Sequence, residues 1–104
     1  MTLSSSEKKP LRRIAHHLDP VVQIGDQGLT DGVIEETRRA LKDHELIKVR
    51  IADNDRPARN AAGDALAAAC EASVIQRIGK IVVLFKANPK ADARLSNLQR
   101  FEIR

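Results

Sequence analysis

The chain has 104 residues, of which 42% are hydrophobic and 31% are charged, and this balance predicts a single globular domain rather than a disordered chain. Its one cysteine excludes an internal disulfide and indicates a reducing compartment, and no apolar run reaches the roughly 20 residues that a membrane-spanning helix needs. Residues 1–9 contain no apolar stretch of the kind that a signal peptide requires.

Positive charge is concentrated at the two ends of the chain, although the net charge is only +4. Residues 1–18 are basic, residues 19–75 carry more acidic than basic side chains, and residues 76–104 are basic again. A fold that brings the two ends together would form one basic face, which is the electrostatic pattern of a nucleic-acid-binding protein. The alternative is an ordinary set of solvated lysine and arginine side chains.

The first predicted element is an amphipathic helix. Ser4 and Glu7 have the spacing of a capping box. Because proline is tolerated only in the first turn, Pro10 predicts a regular helix that runs from Glu7 or Lys9 to His17. Apolar residues recur at helical spacing on one side and basic residues occupy the other: Leu11, Ile14, Ala15 and Leu18 against Lys8, Lys9, Arg12, Arg13 and His16.

The next predicted unit is a strand, a glycine loop and a helix. Asp19-Pro20 ends the first helix, and Val21–Ile24 forms the strand. Gly25-Asp26-Gln27-Gly28 allows a sharp turn, and Thr30 is a suitable N-cap for a helix over residues 31–44. This arrangement presents unpaired amides and the positive end of a helix at one exposed point, which suits a phosphate group. A turn in which glycine only relieves a steric clash is the alternative.

A second strand and a third helix follow. Residues 46–52 alternate in hydropathy, so that Lys48 and Arg50 point away from the apolar side of the strand. The helix over about residues 56–72 is rich in alanine, whose small side chain allows a close approach to a sheet.

The last two predicted strands form a hairpin. Residues 73–78 and 81–85 are joined by Gly79-Lys80, which fits a type II′ turn, and the second of these strands is apolar on both faces, as in the centre of a sheet. The order α-β-α-β-α-β-β predicts an α/β fold: a small mixed four-stranded sheet with three helices, in which each β-α-β unit gives a parallel pair. We expect the domain to span residues 1–88. Residues 89–104 form a basic C-terminal tail that is either mobile or docked through its apolar residues: Leu95, Leu98, Phe101 and Ile103.

The sequence contains no recognisable catalytic or metal-binding set. Adjacent His16 and His17 point about 100° apart on a helix and make poor joint ligands, and His44 fits a solvated helix end. Cys70 fits a buried small apolar residue, and the glycine loop lacks the lysine and serine of a P-loop. The chain is therefore predicted to be no enzyme and to use no metal, cofactor or small-molecule substrate.

Three blocks of the sequence resemble the YhbY family of CRM domains (chloroplast RNA splicing and ribosome maturation). They are residues 18–33, 44–51 and 76–86, and the resemblance extends over roughly residues 5–87. It implies an RNA-binding domain whose fold is similar to the C-terminal domain of translation initiation factor three. Bacterial stand-alone members associate with precursors of the large ribosomal subunit, so the resemblance also implies a cytoplasmic, ribosome-associated protein, for which we expect a monomer.

The family's Gly-x-x-Gly loop is likened to the RNA-backbone clamp of KH domains. Here that loop contains Asp26, and because a carboxylate beside a phosphate is unfavourable, we expect the loop to act through its backbone amides. With only Phe85 and Phe101 as aromatic residues, the chain is expected to recognise RNA backbone and shape rather than stacked bases. The predicted RNA-binding residues lie on the first helix, the loop, the second strand and the hairpin: Lys8, Lys9, Arg12, Arg13, Gly25, Asp26, Gln27, Gly28, Thr30, Lys48, Arg50, Arg77 and Lys80.

Two other functions compete with RNA binding. One is a protein-interaction adaptor, whose basic ends bind an acidic partner and whose glycine loop is structural. The other is an enzyme that uses the loop for a nucleotide phosphate. RNA affinity that falls steeply with salt, and that falls again when Arg12 and Arg13 are replaced by glutamate, would separate RNA binding from both.

Overall fold

The computed structural model describes residues 3–100 and confirms the predicted order of helices and strands, with one short helix added after the last strand. In chain order the elements are α1 (Ser5–Ala15), β1 (Pro20–Ile24), α2 (Asp31–His44), β2 (Leu46–Ile51), α3 (Arg56–Cys70), β3 (Ser73–Ile78), β4 (Ile81–Phe85) and α4 (Asn97–Arg100). Two of the apolar tail residues, Phe101 and Ile103, lie outside the described residues.

Helix α1 begins earlier than the sequence predicts. The capping box is present, since the Ser4 hydroxyl accepts from the Glu7 amide at 3.2 Å and the Glu7 carboxylate accepts from the Ser4 amide at 3.0 Å. Pro10 therefore lies inside the helix, and its predicted confinement to the first turn was wrong. The proline removes one backbone hydrogen bond, to the carbonyl of Ser6, which is exposed and can bind water. Burial of the apolar face, which includes Leu11, offsets that loss.

The sheet has the strand order β1-β2-β4-β3. Strands β1 and β2 are parallel neighbours, and β3 and β4 form the predicted antiparallel hairpin. Its turn agrees with type II′, because Gly79 has a φ of 54° and Lys80 is not among the residues with positive φ. The prediction that the second β-α-β unit gives a neighbouring pair was wrong, because β4 lies between β2 and β3 and pairs antiparallel with both.

Helices cover both faces of this sheet. Helices α2 and α3 pack on one face, and the core there is formed by Val22, Ile24, Leu41, Ile47, Val49, Ile51, Leu66, Ala67, Cys70, Val82 and Leu84. Helix α1 packs on the other face, where the buried residues are Leu11, Ile14, Ala15, Leu46, Ile75 and Val83. The apolar character of both faces of β4, from which its central position was predicted, is thus explained by burial on both sides.

The segment after β4 is tied to the domain by Glu45. This residue follows α2 with a φ of 62° and is only 6% exposed. Its carboxylate accepts from the Asn88 amide at 2.8 Å and from the Ser96 hydroxyl at 2.7 Å. Asn97 adds a bond from its side-chain amide to the Leu46 carbonyl at 2.7 Å. The described part of the C-terminal segment is therefore docked, and its buried Ser96 and Asn97 side chains are hydrogen-bonded to the domain.

This docking brings α4 next to α1. Helix α4 contacts both α1 and β2, and Leu98 packs against the apolar cluster beneath α1. The fold thus places α4 beside α1, whereas Arg77 and Lys86 of the second basic stretch lie on the opposite side of the sheet.

Candidate nucleic-acid interface

The outer side of α1 carries four basic side chains. Lys9 and Arg13 are exposed and Lys8 and Arg12 are half-buried, while the opposite side of the helix is buried against the sheet. None of the four side chains has a hydrogen-bond or ion-pair partner among residues 3–100. At the start of the helix, hydrogen bonds from the Ser4 amide and hydroxyl lower the pKa of Glu7 below its usual range, so this carboxylate stays ionised next to the positive helix end.

Lys48 and Arg50 lie on the same side of the sheet as α1. Their neighbours Ile47, Val49 and Ile51 are buried against α2 and α3, and successive residues of a strand point to opposite faces. Exposure rises along this side of β2, from buried Leu46 through half-buried Lys48 to exposed Arg50. Neither basic side chain has a partner in the described part of the chain. We call Lys48 and Arg50, together with the basic side chains of α1, the basic sheet face.

The ends of three segments meet at one edge of the sheet. Because β1 and β2 are parallel, the Gly25–Gly28 loop and the segment after Ile51 leave from the same edge, and the Ala52 amide donates to the Ile24 carbonyl at 3.0 Å. The hairpin turn joins them, since the Ile51 amide donates to the Lys80 carbonyl at 2.7 Å. We call this region, which borders the exposed end of the basic sheet face at Arg50, the loop edge.

The glycine loop is a hydrogen-bonded turn that leads directly into α2. The Gly28 amide donates to the Gly25 carbonyl at 3.0 Å, and Gly28 has a φ of 70°, a conformation that favours glycine. Thr30 is the N-cap, as predicted, and its hydroxyl accepts from the Val33 amide at 3.1 Å. The amides of Asp31 and Gly32 have no acceptor among residues 3–100. Two free donors therefore remain at the positive end of the helix.

The backbone conformation at position 28 favours glycine, but that at position 25 does not. The φ of Gly25 is not in the left-handed region, and an added Cβ would meet no heavy atom within 4 Å. Nothing in the folded chain thus requires glycine at this position. A ligand whose backbone comes close to the loop would supply such a requirement.

Carboxylates also line the loop edge. Asp26 in the loop and Asp53 after β2 are both exposed and border a shallow cleft of about 400 Å³ together with Gly25 and Gly28. Both would repel a phosphate through their side chains. The positive charge for an anionic ligand must therefore come mainly from the basic sheet face, while the loop edge offers backbone amides.

Two arginines near the hairpin differ from the sequence expectation. Arg77 lies on the α3 side of the sheet, where its guanidinium binds the Asp64 carboxylate, so it is separated from Lys48 and Arg50. Arg59 was not predicted, yet it reaches the loop edge and donates to the Asp53 carbonyl at 2.9 Å. Arg59 could have been predicted from its place in the first turn of a helix that starts beside the glycine loop. The neighbouring aspartates in the sequence made this stretch look acidic instead.

The remaining residues that could react or bind a metal have structural roles. Cys70 is 2% exposed within the core, and desolvation by burial raises the pKa of its thiol, in agreement with the predicted small apolar residue. His44 ends α2 and its Nδ1 lies 2.8 Å from the Leu95 carbonyl. Within residues 3–100 no three metal-ligating side chains come together, and no helix there has the length and apolarity to cross a membrane.

The sequence matches a known family and named proteins. The profile of the CRS1/YhbY (CRM) domain matches residues 3–86. A probable RNA-binding protein of Pseudomonas aeruginosa is 45% identical over 101 residues, which cover 97% of this chain and 97% of that protein. An RNA-binding protein of Haemophilus influenzae is 43% identical over 94 residues, which cover 90% of this chain and 95% of that protein. Both relatives are named as RNA-binding proteins and not as enzymes, which supports the predicted absence of catalysis.

The fold has a counterpart among solved structures. The solution structure of a Staphylococcus aureus protein, described as an RNA-binding candidate, matches with a TM-score of 0.77 and 28% sequence identity, over 88% of this chain and 95% of that one. This likeness confirms the predicted mixed α/β fold.

Proposed function

The chain belongs to the CRS1/YhbY (CRM) domain family, and on this basis we propose that it is an RNA-binding protein that binds ribosomal RNA in large-subunit precursors and assists ribosome assembly. It acts as a monomer in the bacterial cytoplasm, without a cofactor. Support for RNA as the ligand comes from the names of its relatives. The ribosomal part of the proposal is supported by the resemblance of its sequence blocks to family members that associate with such precursors.

The observation that carries the proposal is the shared side of Lys48, Arg50 and the basic side of α1. Two separate stretches of sequence place unpartnered cations on this side of the sheet, and only the fold brings them together. Phosphates of a structured RNA lie along this face, and each neutralised phosphate releases condensed counterions. Arg77 is left out of the interface because its guanidinium is held by Asp64 on the other side.

The loop edge plays a smaller and more local part. The free amides of Asp31 and Gly32 donate to one phosphate, and Gly25 allows the RNA backbone to come close. Lys80 in the adjoining turn adds charge at the same edge. Since Phe85 is half-buried against α1 and residues 3–100 contain no other phenylalanine, tyrosine or tryptophan, binding follows RNA backbone and shape rather than base stacking.

The proposal predicts a steep salt dependence of RNA binding. We expect the purified chain to bind a structured ribosomal RNA fragment, with log K falling linearly against log salt by about 0.7–0.9 for each neutralised phosphate. Fluorescence anisotropy with a labelled fragment between low and moderate salt measures this slope. Sedimentation of the tagged protein in ribosome gradients tests the second half of the proposal. No affinity at low salt would refute RNA binding, and affinity without cosedimentation with large-subunit precursors would refute the ribosomal role.

A second prediction concerns Gly25. We expect Gly25→Ala to change the free energy of unfolding by less than about 0.5 kcal/mol, because the added Cβ meets no atom of the chain. The same substitution should weaken RNA binding several-fold, because the methyl group occupies space that the RNA backbone needs. Urea unfolding and anisotropy measure the two effects. The control is Gly79→Ala, in the hairpin turn of the loop edge. Because Gly79 has a φ of 54°, alanine there should lower the free energy of unfolding. Unchanged affinity in Gly25→Ala would show that the RNA backbone does not come close to this position.

A further inference from the structure

A cleft of about 340 Å³ lies on the side of the sheet opposite α1. It is formed where α2, the end of α3 and the segment leaving β4 meet, and Leu41, Cys70 and Ala87 form its apolar part. Its volume is within the range of ligand-binding clefts. The cleft belongs to neither the basic sheet face nor the loop edge, so the proposed RNA interface does not account for it.

The polar side chains around this cleft are Arg38, Lys42, Lys86 and Asn88, and no carboxylate lines it. Two of the cations have structural partners at the end of α3, which has no basic residue in its own last turn. Arg38 donates to the Ala69 carbonyl at 3.0 Å and Lys86 donates to the Cys70 carbonyl at 3.3 Å. These contacts stabilise the negative end of the helix.

Lys42 is not explained by this capping. Its side chain is exposed, and its ammonium has no hydrogen-bond or ion-pair partner within residues 3–100. The Arg38 guanidinium also has donors beyond those that bind the Ala69 carbonyl and the Glu35 carboxylate, since an arginine offers five N–H groups. Lys42 thus leaves an unpaired positive charge, and Arg38, although paired with Glu35, leaves free N–H donors beside an apolar floor. Such a surface is complementary to a ligand that combines an aliphatic group with a carboxylate.

The composition of the cleft favours a peptide over a nucleotide. A nucleobase in a protein is usually held by an aromatic ring or by hydrogen bonds to its edge. The cleft offers no ring, and the side-chain amide of Asn88 already donates to the Lys42 carbonyl at 2.8 Å. A leucine-sized aliphatic side chain needs only the apolar floor, and an adjacent aspartate or glutamate finds the cations.

We propose that this cleft binds an acidic peptide segment of a protein partner. One aliphatic side chain of the segment packs against Leu41 and Cys70, and a neighbouring carboxylate pairs with Lys42 and Arg38. The site lies across the sheet from Lys48 and Arg50, so it does not depend on the proposed RNA binding and allows both ligands to be held at once.

The test uses the full chain labelled with ¹⁵N and an acetylated five-residue peptide in which aspartate and leucine alternate. We expect amide shift changes at Leu41, Cys70 and Ala87 during titration. Lys42→Glu should weaken the affinity about tenfold, because it replaces an attractive pair by a repulsive one. The matched control is Arg39→Glu, which makes the same charge change about one helical turn away, on a residue outside the cleft. It should alter the affinity by less than about twofold.

Other outcomes would overturn the proposal. They are an absence of shift changes at the cleft with millimolar peptide, equal weakening by Lys42→Glu and Arg39→Glu, or larger shifts at the cleft with adenosine monophosphate than with the peptide. Lys48→Glu combined with Arg50→Glu should leave peptide binding unchanged. The peptide site and the RNA interface can thus fail independently of each other.

Discussion

Replacing both Lys48 and Arg50 by glutamate should weaken the binding of a structured ribosomal RNA fragment by about a hundredfold, at roughly tenfold for each position. Each substitution removes one neutralised phosphate and adds one repulsion. The slope of log K against log salt should become shallower by about 2. Because both side chains lack partners in residues 3–100, the free energy of unfolding measured in urea should change by less than about 1 kcal/mol.

The control for this experiment reverses two charges on the other side of the sheet. Arg39 and Lys42 are exposed on α2, so the double replacement by glutamate makes the same change in net charge without touching the basic sheet face. RNA affinity should fall only a few-fold, through the change in overall charge. If both double variants lost affinity equally, RNA binding would depend on net charge alone, and the proposed location of the interface would be wrong.

Glu45→Ala should destabilise the fold by about 2–4 kcal/mol, because it leaves the Ser96 hydroxyl and the Asn88 amide without their acceptor in a buried site. Residues 89–100 should then detach from α1 and β2. Thermal unfolding should show a melting temperature lower by at least roughly 10 °C. Amide hydrogen exchange should show lost protection at Ser96 and Asn97, while the strands keep theirs at low temperature.

Two controls separate the carboxylate contacts from the backbone strain at position 45. Glu71 also has a positive φ, 55°, just after a helix, but it is exposed and its carboxylate has no partner within residues 3–100, so Glu71→Ala should cost less than about 1 kcal/mol. In a double-mutant cycle, Glu45→Ala and Ser96→Ala should couple by about 1–2 kcal/mol. Additive effects would show that the destabilisation arises from strain or packing rather than from the hydrogen bond.

Much of the fold could be predicted because local chemistry and packing agree. Alternation in β2 showed that Lys48 and Arg50 point away from the apolar side of the strand, and the apolar β4 indicated a central strand, since burial on both faces leaves no polar position. Thr30 could be recognised as an N-cap because the bond to Val33 involves only neighbouring residues. These features depend either on interactions between residues close in sequence or on the hydropathy pattern of a whole strand.

The features that were missed depend on distant partners. The separation of β3 from β2 depends on which strand of the hairpin meets the free edge of β2, and hydropathy does not encode that choice. The orientation of Arg77 depends on Asp64 in another element. Pro10 shows the reverse case, where tertiary burial of one helix face outweighs a local rule. For the candidate site, the residue types were recognisable, but the shared side of α1 and β2 required the sheet to be assembled.

The strand order also constrains how the chain folds during its own synthesis. Strand β2 is made before β3 and β4, yet its second edge is paired by β4, the last strand within residues 3–100 to be translated. Until Phe85 has left the exit tunnel, a nascent chain that has already joined β1 to β2 presents an open row of amides and carbonyls, the kind of edge from which intermolecular aggregation starts. We therefore expect the hairpin to close the sheet late in synthesis, and slow translation or truncation between β2 and β4 should prolong exposure of that edge.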